Sequence, residues 1–272
     1  MKISIPFSGG WDSAITYFWL KHNGYSDDDL FLYNVEYGQP YAKAEAIAIK
    51  RIKQAYNLKI KTYKVNLLDQ SNKPDIKDPT IPARNLLMVY FGIFGSDTVA
   101  ISSPLGEYAP YQSYGKDDTF KKVQDKNPMA FEKMSDVLSA LTGRNIKVRS
   151  FIESRTKTQW LTWMLENYPK DAEFILGTTV SCHSNDNYCG KCQPCLWKWC
   201  MMISNDITPN DYFTNKVDFE SYAIKEAIDN LVHLNDITKE TDLYHDHLKA
   251  RYNELNIALG TLESKYGGTW KK

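Results

Sequence analysis

Ile3-Ser4-Ile5-Pro6-Phe7-Ser8-Gly9-Gly10-Trp11-Asp12-Ser13, followed by the amphipathic run Ala14 to Leu20, is the stretch that decides the fold. A β-branched, apolar segment stops at Ser-Gly-Gly and restarts as a helix within a few residues. Two glycines let the backbone turn tightly and approach an anion with no Cβ in the way. The N–H groups that follow sit at a helix N-terminus, where partial positive charge gathers. Ser8 and Ser13 add hydroxyl donors, and Asp12 reads as a helix cap or as a ligand for a magnesium ion. A Walker loop would need four residues between its glycines and a Gly-Lys-Ser/Thr ending, and this stretch has neither. A strand-to-helix turn that merely uses Gly-Gly is the plain reading; the hydroxyls and carboxylate flanking the turn favour one that holds phosphate.

Outward from this turn, strand and helix patterns alternate. Leu30 to Glu36 reads as a second strand, Tyr41 to Ala55 as a helix, and Lys59 to Asn66 as a third strand. A polar loop from Asp69 to Thr80 precedes the apolar stretch Leu86 to Phe94, which reads as a buried helix. Thr98 to Ser103 is a fourth strand, ending in a long loop from Pro104 to Asp118. Met129 to Leu141 reads as a helix, Ile146 to Phe151 as a fifth strand and Thr156 to Glu166 as a further helix. This order predicts a doubly wound α/β fold with a mostly parallel, five-stranded sheet. Ligands in such sheets bind beyond the carboxyl ends of the strands, and Ser8, Tyr37, Pro104 and Phe151 all fall there. After Pro209, Ala223, Ile224, Ala227, Ile228 and Leu231 share one helical face, and Leu248, Tyr252, Leu255, Leu259 and Leu262 step by four and three. The expected organisation is a sheet domain over 1–205 and a C-terminal helical extension over 206–272 that packs on the core or on a second subunit of a homodimer.

The 272 residues suffice for one large domain with a modest appendage. Thirty-three basic residues balance 33 acidic ones, so no net charge draws the chain toward nucleic acid or membrane. No run approaches the ~18 apolar residues of a membrane span, and the N-terminus, with one lysine and a short strand, does not read as a signal peptide. A cytoplasmic enzyme with reduced thiols is expected.

Four of the five cysteines cluster as Cys182-x6-Cys189-Gly-Lys-Cys192-x2-Cys195. Four thiolates close a tetrahedron around zinc with no open position, which makes a structural site. Gly190 lets the backbone turn so that its N–H groups point at sulfur. His183 and Cys200 are rival ligands, although Cys200, among Leu196, Trp197, Trp199 and Met201, reads as a buried helix residue. An iron–sulfur cluster is the alternative occupant.

The Ser-Gly-Gly-x-Asp-Ser pattern resembles the pyrophosphate loop of N-type ATP pyrophosphatases. Together with Tyr37-Gly-Gln39, Ala44-Glu45, Ile81-Pro-Ala-Arg-Asn85, Lys157 and the cysteine block, it resembles the 7-cyano-7-deazaguanine synthase family, in register over about Met1 to Asn205. The family's third block is apolar-Pro-Gly-Arg-Asn, so alanine stands here at 83 where the family has glycine. The resemblance implies an adenine nucleotide alpha hydrolase-like fold and an ATP-dependent ligase that adenylates 7-carboxy-7-deazaguanine. Ammonia then converts the adenylate through the amide to the nitrile, with AMP and pyrophosphate released. It implies that Ser8, Gly9, Gly10, Asp12 and Ser13 hold pyrophosphate and Mg2+, that Lys157 adds a phosphate-facing cation, and that Cys182, Cys189, Cys192 and Cys195 bind structural Zn2+. Asp12, Lys157 and Arg84 carry over as catalytic residues. Tyr37, Gln39, Arg84, Asn85 and Glu107 carry over to the nucleotide and deazapurine, with Tyr108, Asp117 and Asp118 nearby. Tyr37 has a plainer reading in the core and Asn85 as a cap, and Arg155, at the same helix start as Lys157, reads as its helper or as a solvated charge.

The family's usual arginine after the last cysteine is replaced by Trp197, Lys198 and Trp199, and Ser102 to Thr119 matches poorly. These departures leave the acceptor of the activated group open. One alternative is a paralogue, of antiviral clusters or viral DNA modification, that stops at the amide or joins the deazapurine to an amine of a protein substrate. The other is a tRNA-thiolating sulfur transferase, disfavoured by the neutral charge and by the lack of any cysteine before Cys182.

Overall fold

A computed structural model of the protein describes residues 1–39, 41–65, 83–107, 126–182, 188–209, 212–213, 215–237, 240 and 245–266. The chain forms two compact units. The first comprises Met1–Ser103, Gln124–Ile152 and Thr178–Val180, and the second Pro104–Val123, Glu153–Gly177 and Ser181–Lys272.

The first unit holds a parallel five-stranded sheet: β1 (Ile3–Pro6), β2 (Leu30–Glu36), β3 (Ile60–Lys64), β4 (Thr98–Ala100) and β5 (Lys147–Arg149), ordered β3-β2-β1-β4-β5. Ile3 pairs with Leu30 on one side and Thr98 on the other, so β1 is the central strand. It is buried on both faces, which explains the unbroken Ile-Ser-Ile in place of polar alternation. Ser4 satisfies its buried hydroxyl by donating to Gly92 O at 2.7 Å. The connecting helices are α1 (Trp11–His22), α2 (Ala42–Ala55), α3 (Arg84–Gly92) and α4 (Pro128–Thr142). The chain winds outward from β1 through β2 to β3, then crosses back to β4 and on to β5. Right-handed crossovers therefore put α1 and α2 on one face and α3 and α4 on the other. The winding reverses between β1 and β4, and the Ser8 turn lies at the carboxyl end of β1, at that switch point.

The expected doubly wound α/β sheet is present, with differences at its edges. The fourth strand ends at Ala100 and the fifth spans Lys147–Arg149, both shorter than the apolar pattern suggests. The stretch Leu86 to Phe94 does form a helix, but a one-sided one. Asn85, Val89 and Gly92 are buried, whereas Tyr90 and Phe94 are 48% and 63% exposed, because a helix on the outside of a sheet hides only one stripe. The proposed cap at Asn85 is also displaced. Ala83 is the cap residue, in the left-handed region at φ 55°, and Asn85 sits inside the first turn.

The second unit is helical: α5 (Lys157–Asn167), α6 (Pro169–Thr178), α7 (Gln193–Ile203), α8 (Tyr222–Ile237) and α9 (His245–Tyr266). Every residue of α7 from Cys195 to Ile203 is buried, so this is a core helix, apolar almost all round. Leu196, Trp197, Trp199, Cys200 and Ile203 form one cluster with Ile224, Ile228 and Leu231 of α8 and Leu248, Leu255 and Leu259 of α9. Among the described residues no helix is long and apolar enough to cross a membrane.

Ala83 carries a side chain in a conformation that costs an L-residue roughly 1–2 kcal/mol and glycine little. Ala83→Gly is expected to raise stability by about 1 kcal/mol, read as a higher urea midpoint at constant slope. A lower midpoint would count against the left-handed turn.

Candidate functional site

The turn after β1 is fixed from several sides. Gly9 has φ 76°, and a Cβ there would lie 3.0 Å from Glu45 O, 3.1 Å from Ala48 Cβ and 3.2 Å from Ile49 Cγ1. Only glycine lets α2 approach this closely. Gly9 O accepts a hydrogen bond from Val180 N–H at 3.0 Å. Gly10 is the cap residue of α1, extended at φ −85° and ψ 163°, with no side chain bonded across the helix start. Asp12 therefore stands in the first turn and does not cap. Ser13 Oγ donates to Gly10 O at 2.9 Å and so braces the turn, while Ser8 Oγ accepts from Gly10 N–H at 3.3 Å, leaving its own proton to donate. Thr16 Oγ1 lies 2.9 Å from Asp12 O and from Ser102 Oγ, tying α1 to the chain leaving β4. The result is a helix N-terminus beside a serine hydroxyl, an arrangement suited to an anion.

Past the end of β2, Tyr37 and Gln39 are both buried, at 3% exposure. Gln39 Oε1 accepts from Tyr37 N–H at 2.9 Å and Gln39 Nε2 donates to Glu45 Oε2 at 2.6 Å. Its amide thus braces the loop against α2, and a purine edge could use only the second amide proton and second lone pair. Tyr37 Oη meets Tyr41 Oη at 3.0 Å. Burial pushes the Glu45 carboxyl up to about 7, raised further by Glu36 and opposed by the Gln39 hydrogen bond and the nearby Arg84 guanidinium. Tyr37, Gln39, Glu45 and Arg84 thus form one polar cluster in the first unit. Glu45 is the member whose side-chain role the sequence does not reveal.

In the second unit, Lys157 opens α5. Thr156 caps that helix by accepting from Gln159 N–H, and Gln159 Oε1 accepts from Thr156 N–H in return. Lys157 Nζ lies 3.2 Å from Glu107 Oε1, and the same oxygen takes Arg251 Nη2 at 2.5 Å. Glu107, expected at the deazapurine, is held between two cations of its own chain. Arg155, expected as a helper of Lys157 or as a solvated charge, lies over the Trp160 ring at 5.0 Å. Tyr108, Asp117, Asp118 and His183 lie outside the described residues.

The four cysteines converge as their spacing requires. All four sulfurs lie within 4.8 Å of one another, with Cys192 to Cys195 at 3.4 Å, Cys189 to Cys195 at 3.8 Å and Cys192 to Cys182 at 3.9 Å. Four sulfurs at Zn–S bonds of about 2.3 Å have tetrahedral edges of about 3.8 Å. The set therefore fits one tetrahedral ion, and an iron–sulfur cube would spread the sulfurs further apart. Gly190, at φ 73°, turns the chain so that Lys191 N–H donates to Cys189 Sγ at 3.4 Å. A Cβ on Gly190 would strike Lys216 O at 2.3 Å. Cys200 lies in the helical core and is not a ligand. Lys198, one turn beyond the last cysteine, is 4% exposed, donates to Leu176 O at 2.5 Å and lies over the Tyr188 ring at 4.2 Å. Burial pushes its ammonium down to about 7, against the pull of Cys195.

Residues the motifs do not reveal are His247, Arg251 and Glu254 on α9. Their spacing of four and three along one helix face was the available signal, polar where the neighbouring stripe of Leu248, Leu255 and Leu259 is apolar. Among known proteins, the model of the family described as queuosine biosynthesis protein QueC matches residues 2–199. No curated protein matches the chain.

Two outcomes follow from this geometry. Glu45 ionises near 7 when folded and near 4.5 when not, so its stabilising effect is full below about 4.5 and is lost as the pH rises through about 7. Over that window the chain is expected to lose up to about 3 kcal/mol, and Glu45→Gln should flatten that part of a urea-midpoint profile. A profile identical to the parent's would refute the buried carboxyl. The purified protein is expected to carry about one zinc per chain, and Cys192→Ser to lower both zinc content and melting temperature. A metal-free protein with an unchanged melting curve would refute the structural site.

Proposed function

The chain belongs to the QueC family of ATP-dependent PP-loop enzymes, and we propose that it adenylates 7-carboxy-7-deazaguanine and converts it with ammonia, through the amide, to the nitrile. The observation that carries this reading is the glycine turn Ser8 to Ser13 at the switch point of the sheet. It stands in a chain that also has Tyr37, Gln39, Arg84 and a four-cysteine cluster where the resemblance requires them.

A heteroaryl carboxylate is unreactive because its oxygen leaves poorly. Its oxygen attacks the α-phosphorus of ATP, the bond to the bridging oxygen breaks, and pyrophosphate departs. Ammonia then attacks the acyl carbon, loses a proton, and expels AMP to give the amide. A second ATP is attacked by the amide oxygen, again releasing pyrophosphate. Loss of two N–H protons with AMP as leaving group yields the nitrile, so two ATP give two AMP and two pyrophosphate. Most of this catalysis is positioning and stabilisation of phosphate charge.

In this reading the first-turn amides of α1, with Gly9, Gly10 and the Ser8 hydroxyl, receive the pyrophosphate oxygens. Asp12 would hold Mg2+, which would withdraw charge from the phosphates. Ser13 keeps the turn in shape. Lys157 supplies an ammonium to a phosphate oxygen, and Arg84 orients the nucleotide or the carboxylate. Tyr37, Gln39 and Asn85 shape the deazapurine site. The zinc is structural, since four thiolates leave no position for a reacting group. Sulfur transfer is disfavoured, because the chain's fifth cysteine, Cys200, is 1% exposed in the helical core and no second pair of thiols exists.

The test is incubation with ATP, magnesium, ammonium and 7-carboxy-7-deazaguanine, followed by mass spectrometry. Nitrile and AMP are expected, and Asp12→Ala should cut AMP release by about 100-fold or more with an unchanged melting temperature. Accumulated amide would shift the product one step back. No AMP with ammonium or with an added protein amine would overturn the ligase reading.

A further inference from the structure

Helix α9 lies wholly outside the matched residues 2–199, yet three of its side chains hold the loop and helix that carry Glu107 and Lys157. His247 Nδ1 accepts from Gly106 N–H at 2.9 Å, and burial pushes that imidazole down to about 4, in keeping with an acceptor nitrogen that stays unprotonated. One turn on, Arg251 is 1% exposed. Its guanidinium lies over the Trp197 ring at 4.4 Å, and its Nε would be 3.3 Å from a Cβ on Gly106, which has φ 94°. Arg251 Nη2 binds Glu107 Oε1 at 2.5 Å and Nη1 binds Glu254 Oε2 at 2.8 Å. Glu254 Oε1 in turn accepts from Thr158 N–H at 2.9 Å, at the start of the helix that Lys157 opens.

The arrangement links four charges, two carboxylates and two cations. Glu107 alone would bind the Lys157 ammonium and cancel it. Arg251 occupies the same carboxylate oxygen at shorter range, so Glu107 is shared between two cations and holds the Lys157 ammonium less tightly than it would alone. Glu254 holds Arg251 in place through a second arm of the guanidinium, a use of the rigid fork that a lysine could not reproduce. We propose that Arg251, seated by Glu254, is a positioning residue of the C-terminal helix that sets the Lys157–Glu107 pair and keeps the Lys157 ammonium available to nucleotide phosphate. This inference rests on the phosphate role proposed for Lys157.

The measurement is MgATP affinity by calorimetry on the full chain and on Lys157→Met, Arg251→Met and the double variant, with melting temperatures alongside. Each single variant is expected to bind MgATP about tenfold more weakly, and the double variant within about threefold of Lys157→Met alone, because Arg251 acts through Lys157. Losses that multiply in the double variant, or an Arg251→Met protein that binds like its parent, would overturn the inference while leaving the proposed reaction standing. A parent chain that binds no MgATP would overturn both. If Arg251→Met does not fold, Glu254→Gln carries the test. It keeps an acceptor for Thr158 N–H but loosens the seat of Arg251, so MgATP affinity should fall about threefold. Unchanged or tighter binding there would overturn the inference.

Discussion

The missing side chain at Gly9 is the constraint on which the first unit depends. With φ 76° and with Glu45 O, Ala48 and Ile49 within 3.0–3.2 Å of where a Cβ would stand, any other residue there would be strained. Its conformation sends the chain from the central strand directly into α1, and its closeness to α2 seats the start of that helix beneath the turn. Glu45 is therefore buried at the site because Gly9 allows α2 to come near, and its raised ionisation follows from the same packing. One backbone position thus links the geometry of the Ser8–Ser13 turn to the polarity of its surroundings. Ala83 is the opposite case. The chain adopts a left-handed turn there with a residue ill suited to it, and the local strain is carried by the neighbouring helix and sheet contacts.

Buried charge in the second unit is handled in linked sets. Glu107, Lys157, Arg251 and Glu254 are joined by ion pairs and charge-assisted hydrogen bonds. Removing one member of such a set leaves another buried without compensation, which costs far more than the pair contributes relative to an apolar replacement. The cysteine loop follows the same logic. Four sulfurs within 4.8 Å are tolerable as thiolates only around a cation, and Lys198 places an ammonium within the same buried neighbourhood.

Local signals were the legible ones. The strand Leu30–Glu36 has the bounds its pattern gives, because Leu30, Phe31, Leu32, Tyr33 and Val35 lie between an aspartate run and Gly38. The cysteine cluster was legible for the same reason, since its four thiols lie close in sequence at a spacing that suits one metal ion. The glycine turn was legible because its chemistry and its conformation demand the same residues. What escaped depends on long separations or on a choice of face. The one-sided exposure of α3 could not be read from a run of nine apolar residues with no polar stripe. Gln39 reads as a free amide until Glu45 is brought against it by the turn of α2.

The pairing of Glu107 with Arg251 joins residues 144 positions apart, and no local pattern announces it. Arginine and glutamate three apart on a helix ordinarily mark a wet face, and here that spacing is buried at 1% and 5% side-chain exposure. The distinction comes from the stripe beside it: Leu248, Leu255 and Leu259 turn the same helix toward α7 and α8, and the polar residues between them are carried inward with it. Burying an arginine this way is tolerated only with its acceptors already supplied, and Glu107 and Glu254 supply them. A helix beyond the matched segment thus takes part in the electrostatics of residues inside it, and the apolar packing of α9 is what makes that possible.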